Sequence, residues 1–222
     1  MDNLDPIIES IRATLNAKNA ARDATLARSR ELIRLCALSI RATHRKEFDE
    51  AERLLDEARA AATHMKAAIA DHPDLYHTGY TQDALKEVVE AAVLFAIVRG
   101  QLLPTPEKMG VEAAAYLNGL AEAASELRRH ALDVIRQDRT AEAERLLTAM
   151  NEIYNELVTM DFPDAITGGL RRTTDVLRSV LERTRGDLTT TLQQEKLKTA
   201  LEEFEARVDR WRVGDEPHYP RQ

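Results

Sequence analysis

The stretch Glu87-Val-Val-Glu-Ala-Ala-Val-Leu-Phe-Ala-Ile-Val98 decides the fold class of this chain. On a helix turning about 100° per residue, its apolar side chains point in nearly every direction, which predicts a helix buried among other helices. Two glutamates interrupt the run. Glu87 and Glu90 stand at i, i+3 and share one face. An ionised carboxylate in such surroundings is costly unless it is paired or ligates a metal. The apolar run from Val88 to Val98 also falls short of the roughly 20 residues that a membrane span needs, so no membrane partner is expected.

The rest of the chain reads the same way. Asp5 before Pro6 is a helix start, and nothing interrupts the pattern until about Thr43. Residues 47–70 place Phe48, Ala51, Leu54, Leu55, Ala58, Ala62, Met65 and Ile69 on one side of a second helix. Further helices are expected over about 82–99, 111–137, 141–160, 165–185 and 191–212, separated by Gly and Pro clusters and by Gly186. That makes seven helices and no strand. Aromatics at 5% of the 222 residues, with Ala, Leu, Glu and Arg abundant, argue against an all-β fold. One domain, residues 1–213, is expected, followed by a flexible tail, 214–222, with two prolines and little apolar content. The single Cys36 sits on an apolar helix face and cannot form an intramolecular disulfide. The N-terminus lacks the basic start and apolar run of a signal peptide, so a cytoplasmic location is expected.

A second carboxylate pair, Glu122 and Glu126, stands at i, i+4 in the fourth helix, opposite Leu120, Ala124, Leu127 and Ala131. Four carboxylates on two helices suit Mg²⁺, which takes oxygen ligands and keeps waters, one of which can become a nucleophile for phosphodiester hydrolysis. Spacing alone leaves a plainer account open. Glu87 then begins a helix near its positive end, Glu90 pairs with an arginine of a neighbouring helix, and Glu126 pairs with Arg129 three residues on. Gly119, inside a strong helical pattern one turn before Glu122, is consistent with close helix approach there.

A net charge of -7 excludes a generic polyanion binder, so any nucleic-acid site must be local. Arg30, Arg34, Arg41 and Arg45 form a stripe on the first helix. Arg171, Arg172, Arg178, Arg183 and Arg185 form a second cluster near residue 180. Such stripes neutralise phosphates, or else pair with acidic helices such as 47–57. Other chemistries have less support. Glu126-x-x-x-His130 occurs once and is not the paired Glu-x-x-His of a di-iron bundle. His72 and His77 lack a third ligand for zinc. No phosphate-binding glycine loop or nucleophile elbow is present in the sequence.

Taken in order, SIRATHRKEFDEAERLL (39–55), GYTQDALKEVVEAAVLFAIV (79–98), YLNGLAEAASELRRHALD (116–133), AEAERLLTAMNEIYNEL (141–157) and MDFPDAITGGLRRTTDVLRSVLERTRGDL (160–188) resemble the translin/TRAX family in its archaeal TRAX-like form. The resemblance implies an all-α, seven-helix α-α superhelical bundle that closes into a hollow homo-oligomeric shell, an octamer, enclosing RNA. It implies binding of single-stranded or short double-stranded RNA and of single-stranded DNA. For the TRAX branch it implies an endoribonuclease dependent on Mg²⁺, with Mn²⁺ as an alternative ion. The family's catalytic, metal-binding carboxylates fall on Glu87, Glu90, Glu122 and Glu126, and the arginine stripes match the lining of such a shell. TRAX-like members usually carry Asp at the place of Glu122 and often Gly at that of Ser125. A non-catalytic translin-type binder of single-stranded nucleic acid is the competing expectation, and a helical scaffold with no nucleic-acid role is a third.

Overall fold

A computed structural model describes residues 3–214, all of them helix or connecting turn. Six long helices carry the architecture: α1 (Leu4–His44), α2 (Phe48–Ala67), α4 (Gly79–Arg99), α6 (Ala113–Ile135), α7 (Thr140–Leu157) and α9 (Leu170–Gly214). Three single turns, α3 (Pro73–Tyr76), α5 (Pro106–Met109) and α8 (Asp164–Thr167), fill the Gly- and Pro-rich connections. Helices exceed the expected seven because proline in the first turn of α3 and of α5 starts a turn within what reads as loop. At the other end two helices are expected, over 165–185 and 191–212, and two are present, α8 and α9, but divided differently. The break comes earlier, at Gly168 and Gly169, both at positive φ. Gly186 sits inside α9 with open space around it, so its cost is the usual helix penalty of roughly 1 kcal/mol rather than a break. The expected tail lies outside the described residues except for Gly214, where α9 ends.

α4 is central because its apolar side chains serve two core clusters. Val89, Val93, Leu94 and Ile97 join α6, α7 and α9 in one core cluster. Ala84, Leu85, Val88, Ala91, Ala92 and Phe95 face α1 and α2 in another. α1 is buried only from Thr25 onward, through Ser29, Leu32, Cys36, Ser39 and Thr43 at alternating spacings of three and four, and joins that second cluster from Leu32. Cys36 is buried as expected, and burial holds its thiol far above the usual range. Among the residues of α9 whose burial is described, the last buried one is Leu188. The N-terminal half of α1 and the C-terminal half of α9 are therefore arms that extend past the core.

α6 is rich in alanine on its buried face, with Ala115, Ala121, Ala123, Ala124 and Ala131. Small side chains let helices approach closely. The nearest approach to α4 is at Gly119, where an added Cβ would lie 2.6 Å from Val89 Cβ and 2.7 Å from the Lys86 carbonyl oxygen. That crossing, foreshadowed by a glycine inside a helical pattern, sets the residues one turn further along both helices against each other.

Candidate active site

Glu87 and Glu90 project from the one strip of α4 that faces neither core cluster, and Glu122 projects from α6, one turn beyond the Gly119 crossing. One carboxylate oxygen from each of the three lies within 4.8 Å of the others. The helix starts at Gly79, so Glu87 is well inside it and does not serve its N-terminus. Among the described residues, no cationic side chain forms an ion pair with Glu87 or Glu90, so the arginine expected for Glu90 in the plainer account is not there. Burial, then the neighbouring charges of Glu87, Glu122 and Glu126, push the Glu90 carboxyl up to about 8. Burial and Glu122 raise Glu87 as well.

Glu122 does have a partner. Lys86 Nζ donates to its Oε1 at 2.9 Å. Burial works against the Lys86 charge, but the hydrogen bond to Glu122 and its negative charge outweigh it, and the net direction is upward. Glu126 stands outside the trio. Its Oε1 is 2.7 Å from His44 Nε2, at the end of α1, and 3.8 Å from Arg129 Nη1. The pairing with Arg129 is thus present but longer than the contact with His44. Lys86 and His44 are the site residues that sequence reasoning missed. Lys86 is next to Glu87 in the chain, yet its partner is 36 residues away, and His44 is 82 residues from Glu126.

Glu90, Glu122, Ser125 and Glu126 form one wall of an open cleft of about 600 Å³. Gly168, Gly169, Arg172, Thr173 and Val176, at the start of α9, form the other. Asn118 ties the two walls together. Its Nδ2 donates to the Thr167 carbonyl at 2.7 Å, and its Oδ1 accepts from Thr173 Oγ1 at 2.7 Å. Of the nine arginines in the two stripes, Arg172 lines this cleft. Arg41 and Arg45 lie within a turn of His44 along the chain. Arg45 pairs with Glu47 at 2.6 Å and Arg34 with Glu31 at 2.6 Å, so part of the first stripe is neutralised locally. Arg185 pairs with Glu182 at 2.8 Å, and Arg183 Nε donates to the Ser179 carbonyl of its own helix. Arg30, Arg41, Arg171 and Arg178 are exposed.

The donor set suits a hard divalent cation. Three carboxylate oxygens converge, two of the carboxylates lack a cationic partner, and the cleft leaves room for retained waters. Such a set fits Mg²⁺ or Mn²⁺, and the lack of nitrogen or sulfur donors disfavours zinc.

Fold and site together define an all-helical protein whose two central helices meet over a carboxylate cluster. The uncharacterized protein MJ0175 of Methanocaldococcus jannaschii is 31% identical over 204 residues, 90% of this chain and 88% of its own length. The solved structure of AfC3PO, a translin/TRAX-type protein, is 34% identical and superposes with a TM-score of 0.78 over 84% of this chain and 97% of its own, as does AfC3PO in complex with duplex RNA. NeC3PO without ligand, at 19% identity and a TM-score of 0.74, covers 86% of this chain and 98% of its own and speaks to the fold alone. No protein-family model matches the sequence. The chain belongs to the translin/TRAX family. Among the described residues, no helix is long and apolar enough to cross a membrane.

Proposed function

We propose that this protein binds RNA and cuts it as a Mg²⁺-dependent endoribonuclease, working within a homo-oligomeric shell of the translin/TRAX type. The observation that carries the reading is the convergence of Glu87, Glu90 and Glu122 within 4.8 Å, beside a cleft that Glu90 and Glu122 line, with no ion pair to Glu87 or Glu90 among the described residues. Three carboxylates brought together with one lysine, Lys86 on Glu122, leave an excess of negative charge that is unfavourable unless a further cation joins them. The similarity to AfC3PO, a protein solved with duplex RNA, supports RNA as the partner.

Glu87, Glu90 and Glu122 would hold the ion, which when bound supplies a Lewis acid for the scissile phosphate and a more acidic water. Glu126 borders the same cleft and is available to accept a proton. Arg172, on the opposite wall, is placed to hold a phosphate of the RNA strand. Lys86 stabilises the Glu122 carboxylate while the cation is absent. That ion pair is also the observation that favours the second reading, a non-catalytic binder of single-stranded nucleic acid in which the acidic side chains are structural.

Incubation of labelled single-stranded RNA with the protein, in Mg²⁺ and in EDTA, separates the two. Cleavage in Mg²⁺ that disappears in EDTA and in Glu90→Gln is expected. Salt-sensitive binding with intact RNA in every lane would establish the binder instead.

A further inference from the structure

Glu126 differs from the other three carboxylates in what it touches. It stands outside the converging trio, and its Oε1 is engaged by the His44 ring at 2.7 Å. The side chain of His44 is 3% exposed, whereas that of Glu126 is 30% exposed and reaches the cleft. We infer that His44 is a positioning residue for Glu126, fixing one carboxylate oxygen so that the other takes the proton from the attacking water. This rests on the nuclease reading above.

A carboxylate only accepts hydrogen bonds. Nε2 of His44 therefore carries a proton that points at Glu126, and the buried Nδ1 has no hydrogen-bond partner. The ring is held from behind by His130, with ring centroids 5.9 Å apart. Both nitrogens of His130 also lack hydrogen-bond partners, and its Nε2 is 3.8 Å from Oε1 of Glu142, whose Oε2 pairs with Arg139. Burial, then the nearby His44, hold His130 below the usual histidine range, so an uncharged ring backs His44. Two buried histidines with unmatched nitrogens are a poor way to stabilise a helix crossing, since each orphaned polar atom costs free energy. As a support that fixes the tautomer and direction of one carboxylate contact, the arrangement makes sense.

In the step this serves, the water oxygen forms a bond to phosphorus while its proton passes to Glu126 Oε2. The bond from phosphorus to the departing nucleotide oxygen breaks, and that oxygen keeps the electron pair and takes a proton from solvent. His44 keeps its own proton throughout.

The test compares His44→Leu, His44→Gln and His44→Asn in the full chain, reading kcat and KM on labelled single-stranded RNA and Mg²⁺ affinity by calorimetry. Gln carries an N–H at the reach of Nε2, and Asn is too short. His44→Leu is expected to lower kcat by roughly 10- to 100-fold, as loss of an orienting partner does, with KM and Mg²⁺ affinity within about twofold of wild type. His44→Gln should recover most of the loss and His44→Asn little, a contrast that holds even where the Leu variant does not fold. Histidine ¹⁵N spectra should show His44 protonated at Nε2, with a shift in Glu126→Gln. Wild-type kcat in both His44→Leu and His44→Asn, a joint fall of kcat and Mg²⁺ affinity, or an Nδ1-protonated His44 overturns the inference alone. A wild-type protein that binds RNA and leaves it intact in Mg²⁺ overturns the nuclease reading and this role with it.

Discussion

At neutral pH the Glu90 carboxyl, pushed up to about 8, holds a proton in the folded protein that the unfolded chain, at the ordinary 4.5, has released. Between those values the native state binds more protons than the unfolded state, so stability falls as pH rises through the window, by at most about 1.4 kcal/mol per pH unit for one group. Urea midpoints measured in EDTA from about pH 5 to pH 9 should decline, and Glu90→Gln should flatten the decline. A divalent cation reverses the balance because it needs the ionised form. Apparent Mg²⁺ affinity is expected to rise with pH, by up to about tenfold per unit, and to level off above about pH 8. Calorimetry in two buffers of different ionisation enthalpy checks the proton release, and an affinity flat across this range would place the ion elsewhere. The carboxylates were legible in the sequence because charge inside an apolar helical run is conspicuous. Lys86 and His44 were not, because nothing periodic links them to partners 36 and 82 residues away. His130, one turn beyond Glu126, stands in the sequence as a lone Glu-x-x-x-His, and nothing there shows that it packs against His44.

Helix positions followed from hydrophobic spacing wherever a helix lies against the core, as in α2 and α7. Lengths did not, since the halves of α1 and α9 that leave the core obey no burial pattern within one chain. The two helical glycines show what local sequence withholds. Gly119 reads as a glycine inside a helix and Gly186 as a break between two, yet both lie within helices, Gly119 pressed against the α4 backbone and Gly186 with open space around it. Gly119→Ala must push α4 and α6 apart, and a loss of roughly 1–3 kcal/mol is expected, as for other overpacked cores. The same displacement should weaken Mg²⁺ binding, because Glu122 recedes from Glu87 and Glu90. Gly186→Ala should stabilise by roughly 0.5–1 kcal/mol and leave the cation site untouched. Urea denaturation of both variants, beside a Mg²⁺ titration, checks the pair. Equal effects at the two positions would mean that the crossing at Gly119 is not what sets the carboxylate spacing.

For the whole molecule, the arms offer surfaces that the core does not cover. Along the outer half of α1, Leu4, Ile8, Ile11 and Leu15 are exposed at spacings of three and four, with Ile7 beside Ile8. The outer half of α9 exposes Leu197, Leu201, Phe204 and Trp211 in a similar stripe. Contiguous apolar faces on projecting helices mark surfaces that another chain covers, in keeping with the proposed homo-oligomeric shell. Assembly also answers an electrostatic difficulty. A chain of net charge -7 is a poor partner for RNA singly, but a closed shell can turn the arginines of several copies toward one strand. Phe204→Glu or Ile11→Glu puts a charge into the covered stripe and should reduce the mass seen by light scattering toward that of one chain, leaving helix content nearly intact. RNA affinity should then fall, and the dependence of log K on log salt should become shallower, at about 0.7 per lost phosphate contact on a single strand. A wild-type protein that already scatters as one chain, or a dissociated variant that keeps the full salt slope, would show that one copy carries the whole RNA-binding surface.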